Sequence, residues 1–157
     1  MKQEFLYSVE REYAHPIERL WHAWTDAAEL EAWYHPTILS VVPGSVTSDA
    51  KAGGLWTVAV DVPMNDFVAY FFGRYERVEH HKRIEHSMSY TQSREEFEQR
   101  PADAPAHKVV VEFEDRGDKS WVKFSQFGEL PEDQIQATTD GMTSYFDSLE
   151  QHLDWKN

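Results

Sequence analysis

Hydrophobic and polar residues alternate along residues 4–13, near the start of the chain. Phe5, Tyr7 and Val9 fall on one side of this stretch, and mostly polar residues fall on the other. Alternation of this kind is typical of a strand that buries one face. The sequence therefore predicts a half-buried β-strand here.

The pattern then changes to the period of a helix. Pro16 stands at a favourable first helical position. Apolar residues follow it at helical spacing: Ile17, Leu20, Trp21 and Trp24. Asp26 is the expected N-cap of a second short helix, with Glu29 three residues on as in a capping box, and Pro36 ends that helix. Two short helices are therefore expected directly after the first strand.

The middle of the chain returns to a period of two. Alternating runs at 53–62, 67–78 and 83–90 are separated by turns at "PMND" and "VEHHKR". Residues 107–127 form a hairpin that turns at "DRGD". Its arms should face each other through these residues: Val109, Val111 and Phe113 on one, Val122, Phe124 and Gln126 on the other. Gly73 inside the second run indicates a bulge or a sharp bend.

Two segments depart from the strand pattern. Residues 92–106 are charged and rich in proline and alanine, so a loop or flap is expected there. After Pro131, apolar residues mark one face of a helix of roughly twenty residues. They are Ile135, Met142, Phe146, Leu149 and Leu153. Gly141 costs that helix roughly 1 kcal/mol relative to alanine, which indicates a close approach to a neighbouring group.

This order of elements predicts a single α+β domain over residues 1–157. One strand, two short helices, about five more antiparallel strands and one long helix follow each other along the chain. A single amphipathic helix cannot cover a strongly bent sheet completely. We therefore expect a curved antiparallel β-sheet of about six strands wrapped around a long C-terminal helix, with space left between them.

Composition narrows the classes of partner. The 157 residues include 28 acids and 15 bases, which gives a net charge of −13 at pH 7, and there is no cysteine. Such a surface repels phosphate backbones and anionic lipid headgroups, so no nucleic acid and no membrane is expected as a partner. No apolar run approaches the roughly 20 residues that span a bilayer. A cytoplasmic location is expected.

Four stretches of the chain, in order, resemble one protein family. They are "HPIERLWHAWTDAAELEAWYHP", "AGGLWTV", "GRYERVEHHKRI" and "VVVEFEDRGDKSWVKFSQFG", with the final helix after them. Together they are similar to the SRPBCC (START-like, Bet v1-like) superfamily, in the branch named after the C-terminal domain of the heat-shock protein 90 ATPase activators. The resemblance implies a helix-grip fold, in which the curved sheet and the last helix enclose a mostly apolar cavity.

The chain also differs from that branch. The branch usually has Gly-Trp where this chain has Gly141-Met142, so a flexible side chain replaces a rigid wall. Prolines usually stand at the positions of His80 and His81, and the 92–106 insertion is longer than typical. The size of the cavity and its ligand therefore do not carry over from the family.

Candidate ligand contacts follow from the resemblance and the strand pattern. They are Trp33, Tyr34, Trp56, Val58, Tyr75, His86, Met88, Tyr90, Phe124, Gln126, Met142 and Phe146. The resemblance places Trp33 and Tyr34 at the mouth of the cavity. For the other rings, packing in the core is the alternative. His86 and Gln126 are polar residues on apolar strand faces, so each is a hydrogen-bonded core residue or a ligand contact.

Three functions remain open at this point. The first is a binding protein for a hydrophobic or aromatic small molecule, with no cofactor. The second is an enzyme similar to polyketide cyclases and dehydratases, with His86 and Tyr75 or Tyr90 as its acid–base pair. The third is a partner that stimulates a chaperone ATPase, as the namesakes of the branch do. The histidines lack the spacing of metal ligands on a helix, so no metal is expected.

Large rings are also expected on the outer face of the sheet: Tyr70, Phe72 and Trp121. An antiparallel sheet that is covered on one side only should be polar on the other. The rings therefore indicate a partner surface such as a homodimer interface, unless a bulge at Gly73 changes the register of its strand.

Overall fold

A computed structural model describes residues 4–155 of the chain. Within that range one curled antiparallel sheet has eight strands: β1 (Glu4–Tyr13), β2 (Ser40–Val41), β3 (Thr47–Ser48), β4 (Leu55–Val62), β5 (Phe67–Glu79), β6 (Arg83–Thr91), β7 (His107–Arg116) and β8 (Lys119–Gly128). The helices are α1 (Ile17–Thr25), α2 (Ala27–Trp33), α3 (Arg94–Gln99) and α4 (Glu132–Trp155). The strand order is β1-β8-β7-β6-β5-β4-β2, and β3 also pairs with β4. The α+β helix-grip fold is confirmed.

The expected number of about six strands is wrong, because the sheet also includes β2 and β3. Each has only two residues, and both pair with β4, as in Ser40 opposite Asp61 and Thr47 opposite Thr57. A two-residue strand is too short to show a hydrophobic period. The pairing with β4 is what makes these residues strands.

The segment 92–106 contains the helix α3, so the expectation of a simple loop is also wrong. Ser93 is its N-cap, and its hydroxyl accepts a hydrogen bond from the backbone nitrogen of Glu96 at 3.2 Å. A serine followed three residues later by a glutamate is the sequence signature of a helix start. The charged, proline-containing context hid that signature.

The register of the β7–β8 hairpin is the predicted one. The paired residues are Val109 with Gln126, Val111 with Phe124, and Phe113 with Val122. All six are buried. These two strands therefore present a continuous inner face to α4, with Gln126 as its polar member.

Strand β1 carries a bulge that the alternation of its residues did not reveal. The register shifts between Phe5 and Tyr7, so Phe5 pairs with Phe127. Phe5 is 58% exposed, whereas Tyr7 is 5% exposed. The prediction that these two rings share a face is wrong, because the extra residue of a bulge reverses the alternation.

In β5 the irregularity lies between Tyr75 and Arg77 and not at Gly73. A glycine is needed at position 73 for a different reason. A Cβ atom at this position would collide with the backbone oxygen of Ser87 on the neighbouring strand β6. The glycine therefore permits a close approach of two strands, and the residues before the bulge keep the predicted alternation.

Helix α4 lies against the concave face and is held by contacts at several points. Its buried face contains Met142, Phe146, Leu149 and Leu153, as the helical period predicts. The Tyr13 hydroxyl donates to the backbone oxygen of Phe146 at 2.9 Å, and the Ser148 hydroxyl donates to that of Trp33 at 2.7 Å. These bonds fix the helix to β1 and α2. None of the described helices is long and apolar enough to cross a membrane.

The outer face of the sheet is partly covered by the chain itself. Phe97 of α3 packs against Tyr70 at 4.8 Å and against Phe72 at 6.4 Å between ring centroids. Trp121 donates to a carboxylate oxygen of Glu10 at 3.1 Å. The outer rings thus have partners within the molecule, and a homodimer through this face stays a prediction.

Candidate ligand-binding cavity

The space between the sheet and α4 contains two chambers that share part of their walls. The inner chamber has a volume of about 220 Å³ and the outer one of about 770 Å³. Both are lined by Phe71, Met88, Gln126 and Thr138. The outer chamber reaches the surface at Tyr90, which is 51% exposed. The shared walls make the two chambers one site, and the wall of the inner part includes the buried residues Tyr7, Tyr34 and Met142.

The first half of α4 leaves the inner chamber open. Gly141 and Met142 both line it, and a Cβ atom on Gly141 would meet nothing within 4 Å. The prediction of a close approach at Gly141 is therefore wrong, since the missing side chain enlarges a cavity. Met142 supplies an unbranched, adaptable wall next to that gap.

A chain of hydrogen bonds satisfies the polar groups between the chambers. The Tyr7 hydroxyl donates to Oε1 of Gln126 at 2.6 Å, and Nε2 of Gln126 bonds with Nδ1 of His107 at 2.7 Å. Nε2 of His107 lies 3.1 Å from the backbone oxygen of Glu129. A carbonyl oxygen can only accept, so His107 donates through Nε2 and accepts through Nδ1. Gln126 is thus fixed in one orientation.

Three tyrosines meet at the inner chamber. Tyr7 comes from β1, Tyr34 from the end of α2, and Tyr145 from α4. Burial, with a smaller contribution from the neighbouring phenols, raises the pKa of Tyr7 and Tyr34 above the ordinary tyrosine value. Burial alone raises the pKa of Tyr145. All three phenols are therefore neutral hydrogen-bond donors at ordinary pH.

The opposite end of the space is filled by aromatic side chains. Trp24 packs against Trp33 at 4.8 Å, against Phe146 at 6.2 Å and against Phe124 at 6.4 Å between ring centroids. Trp33 is 0% exposed and donates from Nε1 to the backbone oxygen of Ala23 at 2.8 Å. Trp33 thus lies in the core and not at the mouth where it was expected, because α2 turns its ring toward α1.

His86 belongs to this packed end. Its ring stacks on Trp56 at 4.2 Å, and its Nδ1 donates to the backbone oxygen of Ser87 at 2.8 Å. Burial lowers the pKa of His86 to about 4. His86, Trp56 and Tyr75 border a void of only about 10 Å³ and line neither chamber. Of the residues expected to form an acid–base pair, only Tyr90 lines a chamber, and His86 does not.

The predicted contact residues divide between the two ends. Five line a chamber: Tyr34, Met88, Tyr90, Gln126 and Met142. The other seven lie in the packed end: Trp33, Trp56, Val58, Tyr75, His86, Phe124 and Phe146. Whether any of the twelve binds a ligand stays a prediction.

Sequence reasoning missed several wall residues: Tyr7, Phe71, His107, Thr138 and Tyr145. Two of them had a usable signal. Thr138 and Tyr145 stand four residues before and three residues after Met142, which is the spacing of one helical face. Within residues 4–155, no group of three or more histidine, aspartate or glutamate side chains is arranged to hold a metal ion.

Known proteins share this architecture. A family model described as "Activator of Hsp90 ATPase homolog 1-like protein" matches residues 14–154. A structure from Staphylococcus epidermidis is 24% identical and covers 100% of this chain and 94% of its own, with a TM-score of 0.77. An AHSA1 protein from Silicibacter pomeroyi is 18% identical and covers 96% and 99%, with a TM-score of 0.78. At these identities the structures show a shared fold alone. No curated protein matches the chain.

Proposed function

Since the chain belongs to the Activator of Hsp90 ATPase homolog 1-like family of the SRPBCC superfamily, we propose that it binds a hydrophobic or aromatic small molecule between its sheet and α4. The observation that carries this proposal is the pair of joined chambers, of about 220 and 770 Å³. Ligand sites are usually preformed concave spaces of this order of size, with mainly apolar walls and a few polar groups.

The composition of the walls supports an apolar ligand. Phe71 and Met88 line both chambers, and Met142 lines the inner one. Among the described residues, no lysine or arginine lines either chamber. An ionic ligand would lose its hydration there without gaining a compensating positive charge. The methionines allow the walls to adapt to ligands of different shape.

The other functions have less support in the geometry. The fold and family are those of a ligand-binding or activator-like domain. An enzyme would need an acid–base pair facing its substrate, and His86 lines neither chamber. Activation of a chaperone ATPase is the activity in the family name. An assay of ATPase stimulation with the chaperone from the same organism would detect it directly.

Two measurements test the proposal. Native mass spectrometry of the purified protein should show a bound small molecule, and the protein stripped of it should bind diphenylhexatriene with one site per chain. Gly141→Leu should abolish that binding, because the new side chain would enter the inner chamber. Thr143→Leu is the matched control, since it adds the same side chain to the same helix at an exposed position. Equal binding by both variants, or none by the parent chain, would contradict the proposal.

A further inference from the structure

We propose that the inner chamber binds the carbonyl oxygen of an uncharged, mainly apolar ligand through the hydroxyl groups of Tyr34 and Tyr145. This inference rests on the proposed function and specifies the polar end of the ligand. Ketones, aldehydes, esters and quinones belong to the class of molecule that fits.

The two phenols approach each other from different elements. Tyr34 follows the last residue of α2, and Tyr145 lies in α4. Their ring centroids are 4.9 Å apart and the rings are nearly perpendicular, at 76°. Both rings line the inner chamber. A ligand atom in that chamber is therefore close to both side chains.

Tyr34 is buried and Tyr145 is half-buried, and neither hydroxyl has a hydrogen-bond partner within residues 4–155, in contrast to three buried tyrosines elsewhere in the molecule. Tyr7 bonds with Gln126, Tyr13 with the backbone of Phe146, and Tyr75 with Ser48 at 2.7 Å. Buried tyrosine hydroxyls normally find such partners. Two adjacent phenols without one form an unusual pair of available donors.

The hydroxyls of Tyr34 and Tyr145 also remain accessible to a ligand. Among the described residues, the one fully enclosed side-chain nitrogen or oxygen that lacks a partner is Nε1 of Trp24. The hydroxyl of Tyr34 lacks a partner too and is therefore not fully enclosed, although the residue as a whole is only 3% exposed. Tyr34 borders both the inner chamber and the void of about 10 Å³ at the packed end.

A carbonyl oxygen matches these two donors. The phenols stay protonated because burial raises the pKa of each. The other polar side chains of the inner wall already have partners. Tyr7 donates to Gln126, and Gln126 bonds with His107. The Thr138 hydroxyl donates to the backbone oxygen of Gln134 at 2.9 Å. A carbonyl oxygen has two lone pairs and can accept from both free hydroxyls at once.

The charges around the chambers favour binding of a neutral carbonyl compound over a carboxylate. No lysine or arginine of the described chain lines either chamber, whereas Glu129 lines the outer one. The chain as a whole carries a net charge of −13. A carboxylate would thus lose its hydration with no cation to replace it, and it would meet a negative field on the way in. The site should therefore discriminate against anions.

Three naphthalene derivatives of the same shape test this inference by calorimetric titration. Acetylnaphthalene carries a ketone, isopropylnaphthalene has no oxygen, and naphthoate is an anion, all substituted at the same ring position. We expect the ketone to bind roughly tenfold more tightly than the hydrocarbon, as two net hydrogen bonds allow. Naphthoate should bind most weakly of the three.

Substitutions assign the effect to the two hydroxyls. Tyr34→Phe and Tyr145→Phe should each weaken ketone binding by roughly three- to fivefold and leave isopropylnaphthalene unchanged. The infrared stretch of the bound ketone should move to higher frequency in both variants as its hydrogen bonds are lost. Tyr70→Phe is the matched control, because Tyr70 packs against Phe97 outside the cavity. If one variant fails to fold, the other carries the test.

The outcomes separate this inference from the proposed function. Equal affinity for the ketone and the hydrocarbon, or a ketone stretch that both variants leave unchanged, would overturn the carbonyl site while hydrophobe binding stands. Tightest binding of naphthoate would overturn the preference for a neutral ligand. If neither acetylnaphthalene nor isopropylnaphthalene binds, the proposed function itself fails.

Discussion

The two halves of α4 face the same sheet, but one half packs against a filled core and the other borders a cavity. Toward its end, Phe146, Leu149 and Leu153 are each 0% exposed and fill the space beneath them. Toward its beginning, Gly141 and Met142 border a chamber of about 220 Å³. One helical stripe thus builds a core at one end and a cavity at the other.

The short helices explain much of the difference. Trp24 of α1 and Trp33 of α2 enter the space at the packed end and contact each other at 4.8 Å. At the end that contains the inner chamber, called the hollow end below, the only residue from this region is Tyr34, which directly follows α2. Large rigid rings from α1, α2, β8 and α4 interdigitate at one end, whereas a glycine and flexible methionines line the other. Substitutions at the packed end should therefore change the free energy of unfolding strongly, and substitutions at the hollow end should change it weakly.

The largest effect is expected at the packed end. Trp33→Ala should lower the free energy of unfolding by about 3–5 kcal/mol, because it removes a fully buried ring and leaves a cavity. Urea denaturation measures the loss. Met142→Ala is the comparison at the hollow end and should cost less, since its side chain already borders empty space. A larger loss for Met142→Ala would break the distinction between the two ends.

A fall in pH should also lower the free energy of unfolding, through His86 at the packed end. The pKa of His86 is about 4 in the folded chain against 6.5 for the free side chain, because burial disfavours the cation. The unfolded chain therefore binds the proton first as the pH falls. This contribution to stability is complete above pH 6.5 and decreases between pH 6.5 and 4, by about 3 kcal/mol in total.

The variant His86→Phe isolates that effect. Its free energy of unfolding should fall less steeply than that of the parent chain over the same interval, measured by denaturation at several pH values. The hollow end should behave differently, since the pKa values of its tyrosines are raised and they stay neutral. Hydrophobe binding should accordingly be constant between pH 6.5 and 9. Identical slopes for both chains would show that His86 does not carry the effect.

A smaller effect of opposite sign is expected at Gly141. Gly141→Ala should stabilise the protein by about 1 kcal/mol, because alanine favours the helix and its methyl group meets nothing within 4 Å. Thermal unfolding measures the gain. Gly73→Ala is the matched substitution at a crowded site and should destabilise, since its Cβ atom would collide with the backbone of Ser87. A loss at Gly141 would mean that the chamber is filled.

The smallest effect is expected for the hydroxyl of Tyr34. Tyr34→Phe should change the free energy of unfolding by less than about 0.5 kcal/mol, because the hydroxyl has no partner within the described chain. Tyr13→Phe should cost about 1 kcal/mol, since that hydroxyl bonds with the backbone of Phe146. Chemical denaturation of both variants gives the comparison. Equal losses would indicate that Tyr34 has a structural partner.

Part of the cavity was predictable from the chain alone. Alternation and helical period identified Met88, Gln126 and Met142 as inward-facing residues. The resemblance placed Tyr34 at the mouth, whereas Tyr34 is buried and lines the inner chamber. The same reasoning put Trp33 at the mouth, although its ring is buried against Trp24. A period tells which face of an element a residue occupies. It does not tell whether that face meets another side chain or empty space.

By itself, the sequence determined the order of the long elements, the register of the β7–β8 hairpin and the apolar stripe of α4. It also determined the N-cap at Asp26, whose carboxylate accepts a hydrogen bond from the backbone nitrogen of Glu29 at 3.2 Å. These features depend on residues that are neighbours along the chain or across a short turn. The tertiary structure alone decided the bulges in β1 and β5, the short strands beside β4 and the position of the cavity. Those depend on how side-chain volumes from distant segments add up, and no local period records that sum.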